Sequence, residues 1–152
     1  MRGIRSAALA ALVLTSLLAL VQPVSAERLP ASDHGGAPLS ATLTRPGSNQ
    51  MGTAVLTANA GQQEVCFEIQ VRNLATVTSA HIHLGAANVD GPIVVPLFSF
   101  SPPTPATSFS DCVHGDRDVI TAILRNPSGY YVNVHTTEFP AGAIRGQLVL
   151  GG

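Results

Sequence analysis

The chain of 152 residues contains no lysine and no tryptophan, and its eight basic residues are all arginines. No basic stripe is present and the formal net charge is −1, which argues against a nucleic-acid-binding protein. The sequence also lacks a Gly-x-Ser-x-Gly motif, a phosphate-binding glycine loop and a convincing cysteine–histidine nucleophile pair. The common hydrolases and nucleotide-dependent enzymes are therefore not indicated.

The start of the chain has the order of a secretory signal peptide. Arg2 and Arg5 precede an almost wholly apolar segment, residues 7–21, and the small residues 24–26 follow it. We expect cleavage after Ala26, so that residues 1–26 are the signal peptide. The alternative is an uncleaved anchor helix, but the apolar segment is shorter than the about 20 residues of a membrane span. After cleavage we expect no transmembrane span and a secreted or periplasmic protein.

The remaining residues form one domain of ordinary size. Residues 27–37 are polar and rich in glycine and proline, which is typical of a flexible N-terminal arm. Residues 38–152 form the folded domain. Without Arg2 and Arg5, six arginines face nine acidic residues, so the exported chain carries about −3.

Only two cysteines are present, Cys66 and Cys112. In an exported chain, an even and small number of cysteines favours a disulfide. A free thiol pair or a pair of metal ligands is the alternative, although the spacing matches no established zinc pattern. Cys66 lies on the polar side of an alternating strand, so we expect the disulfide on the outside of the sheet.

Alternation of apolar and polar residues predicts many short strands. The clearest is 63–72, in which Val65, Phe67, Ile69 and Val71 face one way. The predicted strands are 39–43, 52–59, 63–72, 77–84, 93–98, 109–113, 130–136 and 143–150. The chain is therefore predicted to be all-β, as an antiparallel β-sandwich or barrel.

Two segments interrupt the strands. One short helix is predicted with Asp116 as its N-cap and Pro127 at its end. The proline-rich segment 101–107 is predicted to be a surface loop, because proline cannot join a sheet interior.

The motif HIHLG, residues 81–85, contains the most distinctive polar pair. Because side chains i and i+2 share one face of a strand, His81 and His83 point together, while Ile82 and Leu84 are expected in the core. By the same rule, His135 points away from the core on a later strand. If the two strands are close, three imidazoles converge on a copper or zinc site with an open position.

A structural role for the histidines is the alternative. They would then be solvent-facing polar residues, or rings whose hydrogen bonds to backbone groups hold loops in place. The metal interpretation requires all three rings to approach one point. Rings tied up by backbone hydrogen bonds would favour the structural interpretation. His34 and His114 are further histidines that could supply a fourth ligand.

Three aromatic residues, Tyr130, Tyr131 and Phe139, cluster near His135. Tyr131 and Phe139 are candidates for a small patch that binds an unknown protein or glycan partner. The alternative is one core tyrosine beside one rim tyrosine. Glu138 and Arg145 flank the last predicted hairpin and are expected to form a surface ion pair, which stabilises little.

Three segments together resemble the CHRD domain, a family first described in chordin and common in secreted bacterial proteins. They are VCFEIQV (65–71), SAHIHLGAANVDGPIVVPL (79–97) and NPSGYYVNVHTTEFPAGAIRGQL (126–148). The resemblance covers residues 39–150. It implies an immunoglobulin-like β-barrel but no settled biochemical activity.

CHRD domains have a distant likeness to the copper/zinc superoxide dismutases. Here that likeness depends on His81 and His83, which are similar to paired copper ligands on one strand, and on His135, which is similar to a later copper ligand. The chain lacks the histidine-rich loop that would supply a bridging ligand and a zinc site. The leading interpretation is a non-enzymatic extracytoplasmic binding or structural module. The alternative is a copper- or zinc-binding protein without strong dismutase activity.

Overall fold

The computed structural model describes residues 35–151. The predicted signal peptide and almost all of the predicted N-terminal arm lie outside these residues. Within the described part, the chain forms strands and one helix, α1 (Arg117–Arg125), followed by a single 3-10 turn, Pro127–Gly129. The strands are β1 (Ala37–Thr44), β2 (Met51–Asn59), β3 (Glu64–Arg72), β4 (Val77–Leu84), β5 (Ile93–Thr104), β6 (Ser108–His114), β7 (Tyr130–Thr136), β8 (Ile144–Gln147) and β9 (Val149–Leu150).

The strands form one antiparallel sheet that curls into a nearly closed barrel. Their order is β5-β4-β7-β8-β1-β2-β3-β6, and β9 pairs with β1. The two end strands meet through aromatic rings, since Phe98 of β5 stacks on Phe109 of β6 with centroids 4.6 Å apart. The prediction of an all-β barrel with one short helix is therefore confirmed.

The inside of the barrel is built from the alternating residues of each strand. In β3, Val65, Phe67, Ile69 and Val71 are at most 5 % exposed, while the residues between them lie outside or at the rim. Leu39 supplies the same kind of buried side chain from β1. Burial of such side chains contributes about 1.5–3 kcal/mol each, which specifies the face of every strand.

The helix begins as the sequence predicts. The carboxylate of Asp116 accepts hydrogen bonds from the backbone N–H groups of Asp118 and Val119, at 2.8 and 3.1 Å. Ile120 and Ile123 form its buried side. The N-cap satisfies donors that would otherwise have no partner in the first turn.

The disulfide between Cys66 and Cys112 is present, with an S–S distance of 2.03 Å. The two residues are directly opposite each other in the β3–β6 pair. Their side chains lie on the outer side of the sheet, as the alternation in β3 predicts.

Two predictions about single segments are wrong. Residues 101–104 continue β5 instead of beginning a loop. Because β5 ends the sheet order and pairs only with β4, its prolines remove no hydrogen bond from a second neighbour. Leu84 is 45 % exposed rather than buried, because the register against β5 shifts between Ile82 and His83 and the alternation ends there.

Candidate metal centre

The outer side of β7 is covered by protein rather than solvent. All seven residues of β7 are buried, including Tyr131, Asn133 and His135 on the side away from the core. Two loops cover this side: residues 85–92 between β4 and β5, and residues 137–143 between β7 and β8. The hydroxyl of Tyr131 donates to the carbonyl of Val89 at 2.8 Å, and the amide of Asn133 donates to that of Ala141 at 3.2 Å. The histidines therefore do not lie on an open surface.

The pairing of β4 with β7 brings the three predicted histidines together. Ser79 is opposite His135 and His81 is opposite Asn133, so His81 and His135 are diagonal neighbours on one side of the sheet. One ring nitrogen from each of His81, His83 and His135 lies within 4.8 Å of the other two. Nδ1 of His81 is 3.0 Å from Nε2 of His135.

His83 is held by the loop that follows its own strand. Its Nδ1 donates to the carbonyl of Gly91 at 2.8 Å, and its ring stacks on Tyr131 with centroids 5.0 Å apart. Its other nitrogen, Nε2, is buried and has no hydrogen-bond partner among the described residues. A buried polar atom in this state costs free energy unless a ligand satisfies it.

His135 is held in the same manner by the second loop. Its Nδ1 donates to the carbonyl of Pro140 at 2.9 Å, so Nε2 carries a lone pair when the ring is neutral. It follows that Nδ1 of His81 donates the hydrogen bond that joins these two rings.

Backbone hydrogen bonds thus occupy only one nitrogen of His83 and one of His135. Ligand histidines in metal sites almost always donate their second N–H to a carbonyl or carboxylate, which orients the ring. The backbone contacts of His83 and His135 are of this kind. They fit both the attachment of the loops and the orientation of rings that bind a metal ion.

The surroundings keep His81 and His135 neutral. Burial, followed by the neighbouring His135 and His83, lowers the pKa of His81 to about 4. Burial also lowers the pKa of His135, and the charges of His83 and Arg145 act in the same direction against the opposing hydrogen bond to Pro140. A neutral imidazole is the form that binds a metal ion, so no proton has to be displaced from a charged ring near pH 7.

The nitrogens left for an ion are Nε2 of His83 and Nε2 of His135, together with Nδ1 of His81 once its proton has moved to Nε2 of the same ring. Three imidazole nitrogens suit copper or zinc and leave one position open. Nitrogens bound to one ion at about 2.0–2.1 Å are at most about 4.2 Å apart. Small side-chain movements would therefore bring the cluster to ligand distance.

The further histidines and the cysteines, which the sequence offered only as alternative ligands, add nothing to the cluster among the described residues. His114 ends β6 and is opposite Glu64 in β3, away from the three-histidine cluster. His34 lies outside the described residues. Glu64 also lies close to Cys66 and Cys112, but both sulfur atoms are in the disulfide and are not thiolate ligands.

The residues that shape the covering loop had no clear signal in the sequence. Arg145 forms its ion pair with Asp90 at 2.5 Å, not with Glu138 as expected. Gln147 accepts from the N–H of Ala87 at 2.9 Å and donates to the carbonyl of Gly85 at 3.0 Å. These contacts connect β8 to loop 85–92. The sequence does not predict them, because a polar residue in a short strand gives no indication of which loop it will contact.

The two members of the predicted aromatic patch have different surroundings. Tyr131 is completely buried, with its hydroxyl bound to the loop. Phe139 lies at the rim beneath the guanidinium of Arg45, whose Cζ is 3.6 Å from the ring centroid. Among this pair, only Phe139 is left near the surface.

Together, the barrel and the histidine cluster define an all-β domain with a candidate metal centre under two loops. The sequence matches the CHRD domain family over residues 36–148. The chain belongs to the CHRD domain family. Comparison with curated proteins and comparison with solved structures each gave no match. In the described part of the chain, no helix has the length and hydrophobicity required to cross a membrane.

Proposed function

We propose that the protein is an exported, non-enzymatic binding module that holds one copper or zinc ion through His81, His83 and His135. The observation that carries this proposal is the buried Nε2 of His83, which has no partner among the described residues and belongs to the three-histidine cluster. An ion bound by the three rings would satisfy that nitrogen. It would also replace the hydrogen bond between His81 and His135.

The covering loops support binding rather than turnover. His83 and His135 are only 6 % and 8 % exposed, so a substrate larger than a water molecule has little access to them. The cluster consists of imidazole side chains. The two backbone carbonyls that contact it, those of Gly91 and Pro140, already accept hydrogen bonds from His83 and His135. A bound ion would supply Lewis acidity, while the chain itself orients the rings and limits solvent.

The proposed export has separate support. The disulfide between Cys66 and Cys112 is typical of proteins from an oxidising compartment. The amino-terminal sequence has the order of a signal peptide. Cell fractionation, with mass spectrometry of the amino terminus, would test both export and cleavage after Ala26.

The metal proposal is tested by calorimetric titration of copper and zinc into protein purified after export, without a histidine tag. We expect about one equivalent bound by the native protein and none by the variant His81→Ala/His83→Ala/His135→Ala. His114→Ala is the matched control, because it removes an imidazole outside the cluster.

Circular dichroism verifies that all three proteins remain folded. Equal binding by the folded triple variant, or no binding by the native protein, would overturn the metal proposal. The rings would then serve to attach the two loops, and partner searches would turn to proteins and glycans.

A further inference from the structure

We propose that a hollow beside the β7–β8 hairpin binds a small molecule through one oxyanion group, a carboxylate or a phosphate, with Arg45 as its principal ligand. This inference goes beyond the metal proposal and does not depend on it. The hollow has a volume of about 500 Å³, which is in the usual range for small-molecule sites. It is lined by Thr44, Arg45, Pro46, Ala87, Asn88, Gly142, Ala143 and Arg145.

Arg45 is held in place without a carboxylate partner. Its guanidinium lies over the ring of Phe139, with Cζ 3.6 Å from the centroid. Among the described residues, its side-chain N–H groups donate no hydrogen bond and no acidic group lies within ion-pair distance. The Phe139 ring covers one face of the Arg45 guanidinium, so the N–H donors at the edge of the guanidinium are available to an oxyanion. Because Phe139 already limits the side chain, less conformational freedom is lost when a ligand binds.

The second guanidinium supplies charge rather than free donors. Arg145 donates to the carboxylate of Asp90 and to the carbonyls of Val89 and Ala141. The lining itself contains two arginines and no acidic residue. Asp90 offsets one of these charges from outside the lining, which leaves the charge of Arg45 available. A ligand with one anionic group therefore fits better than a cation.

The register of β1 against β8 and the glycine at position 142 place the two arginines side by side. Thr44 is opposite Arg145 in the β1–β8 pair, so Arg45 begins the next turn beside Arg145. Gly142 has φ +136°, and a Cβ there would lie 2.3 Å from the Asn133 side chain and 2.8 Å from that of Arg145. Glycine at this position allows the hairpin to pass close to both side chains. Apolar walls from Pro46, Ala87 and Ala143 remain for the uncharged part of the ligand.

The test is an NMR titration of the full exported protein with inorganic phosphate and with acetate, in chloride buffer. We expect saturable shifts around the hollow for at least one of the two anions, and the tighter one identifies the oxyanion class. Arg45→Gln should weaken binding at least about tenfold, because charge-assisted hydrogen bonds are lost. Arg45→Lys should also weaken it, since lysine keeps the charge but lacks the planar fork.

Arg117→Gln is the matched control. It removes the same charge at the opposite end of the barrel, where Arg117 donates to the carbonyl of Gly61 in the β2–β3 turn. Its affinity for the anion should equal that of the native protein. The proposal is overturned if neither anion binds saturably, or if Arg117→Gln weakens binding as much as Arg45→Gln. A metal titration that fails while the anion binds would reject the metal proposal alone.

Discussion

The ring of His83 is stacked on the ring of Tyr131, with the two planes only 14° apart. Both side chains hold the same loop: His83 donates to the carbonyl of Gly91, while the hydroxyl of Tyr131 accepts from the N–H of Gly91 and donates to the carbonyl of Val89. The orientation of His83 therefore depends on loop 85–92 and on a tyrosine from the neighbouring strand.

Removing the hydroxyl of Tyr131 should loosen the support of His83. Tyr131→Phe leaves the N–H of Gly91 and the carbonyl of Val89 without this partner, which costs about 1–3 kcal/mol of unfolding free energy. If His83 binds metal, metal affinity should also fall about 10- to 100-fold, as it does when other contacts that orient a ligand histidine are removed. Urea unfolding and calorimetry measure the two effects. Tyr130→Phe is the control, since the Tyr130 hydroxyl makes no hydrogen bond within residues 35–151, and an equal loss there would contradict the prediction.

The metal-free protein should become less stable as the pH falls from about 6.5 to about 4. The pKa of His81 is 6.5 when the chain is unfolded and about 4 in the fold, so the unfolded chain binds more protons in this window. The neutral His81 ring makes its full contribution to stability above the pKa of the unfolded chain, and this contribution is lost as the pH falls from about 6.5 to about 4. Scanning calorimetry of metal-free protein should show Tm decreasing in this range.

His81→Gln should flatten that pH dependence, whereas His114→Gln should not. A Tm that stays constant or rises on acidification of the native protein would show that the burial of a neutral His81 has no such effect.

Loss of the disulfide should destabilise the barrel without altering the histidine cluster. The bond joins residues separated by 46 positions, for which the chain-entropy model gives about 4 kcal/mol as an upper figure. Cys66→Ser/Cys112→Ser should therefore lower the unfolding free energy by up to about 4 kcal/mol in a denaturant titration. Because the bond joins β3 to β6 and the histidines lie on β4 and β7, any metal affinity of the folded variant should be unchanged. A large loss of affinity would mean that the two parts of the barrel are coupled.

The start of α1 should depend on one carboxylate. Asp116→Ala removes the acceptor of two backbone N–H groups and should cost about 1 kcal/mol of unfolding free energy. Asp116→Asn keeps a capping oxygen and should cost less. Chemical denaturation of the three proteins measures the difference, and equal losses in both variants would indicate that charge rather than capping matters.

The barrel strands and their inward sides could be predicted because a two-residue alternation is a local property. Val65, Phe67 and Ile69 indicate their burial whatever the partner strand is. The shared side of His81 and His83 is predictable for the same reason. The capped helix at Asp116 is also specified by neighbours within one turn.

The pairing of β4 with β7 is different, because it joins His81 to a residue 54 positions away. No local pattern specifies that register, and it decides whether His135 belongs to the cluster. The exposure of Leu84 likewise results from a register shift against β5. The continuation of β5 through residues 101–104 depends on its place at the end of the sheet order, which leaves its prolines on a strand with one neighbour.

Alternation in the sequence thus established an all-β chain, its inner and outer sides, and three histidines pointing away from the core. The fold established that these histidines meet and that His83 and His135 are buried beneath two loops. The reason is that side-chain direction follows from the pleat of a single strand. Convergence and burial depend instead on strand pairing and loop contacts between distant residues, such as Tyr131 with Val89 and Arg145 with Asp90.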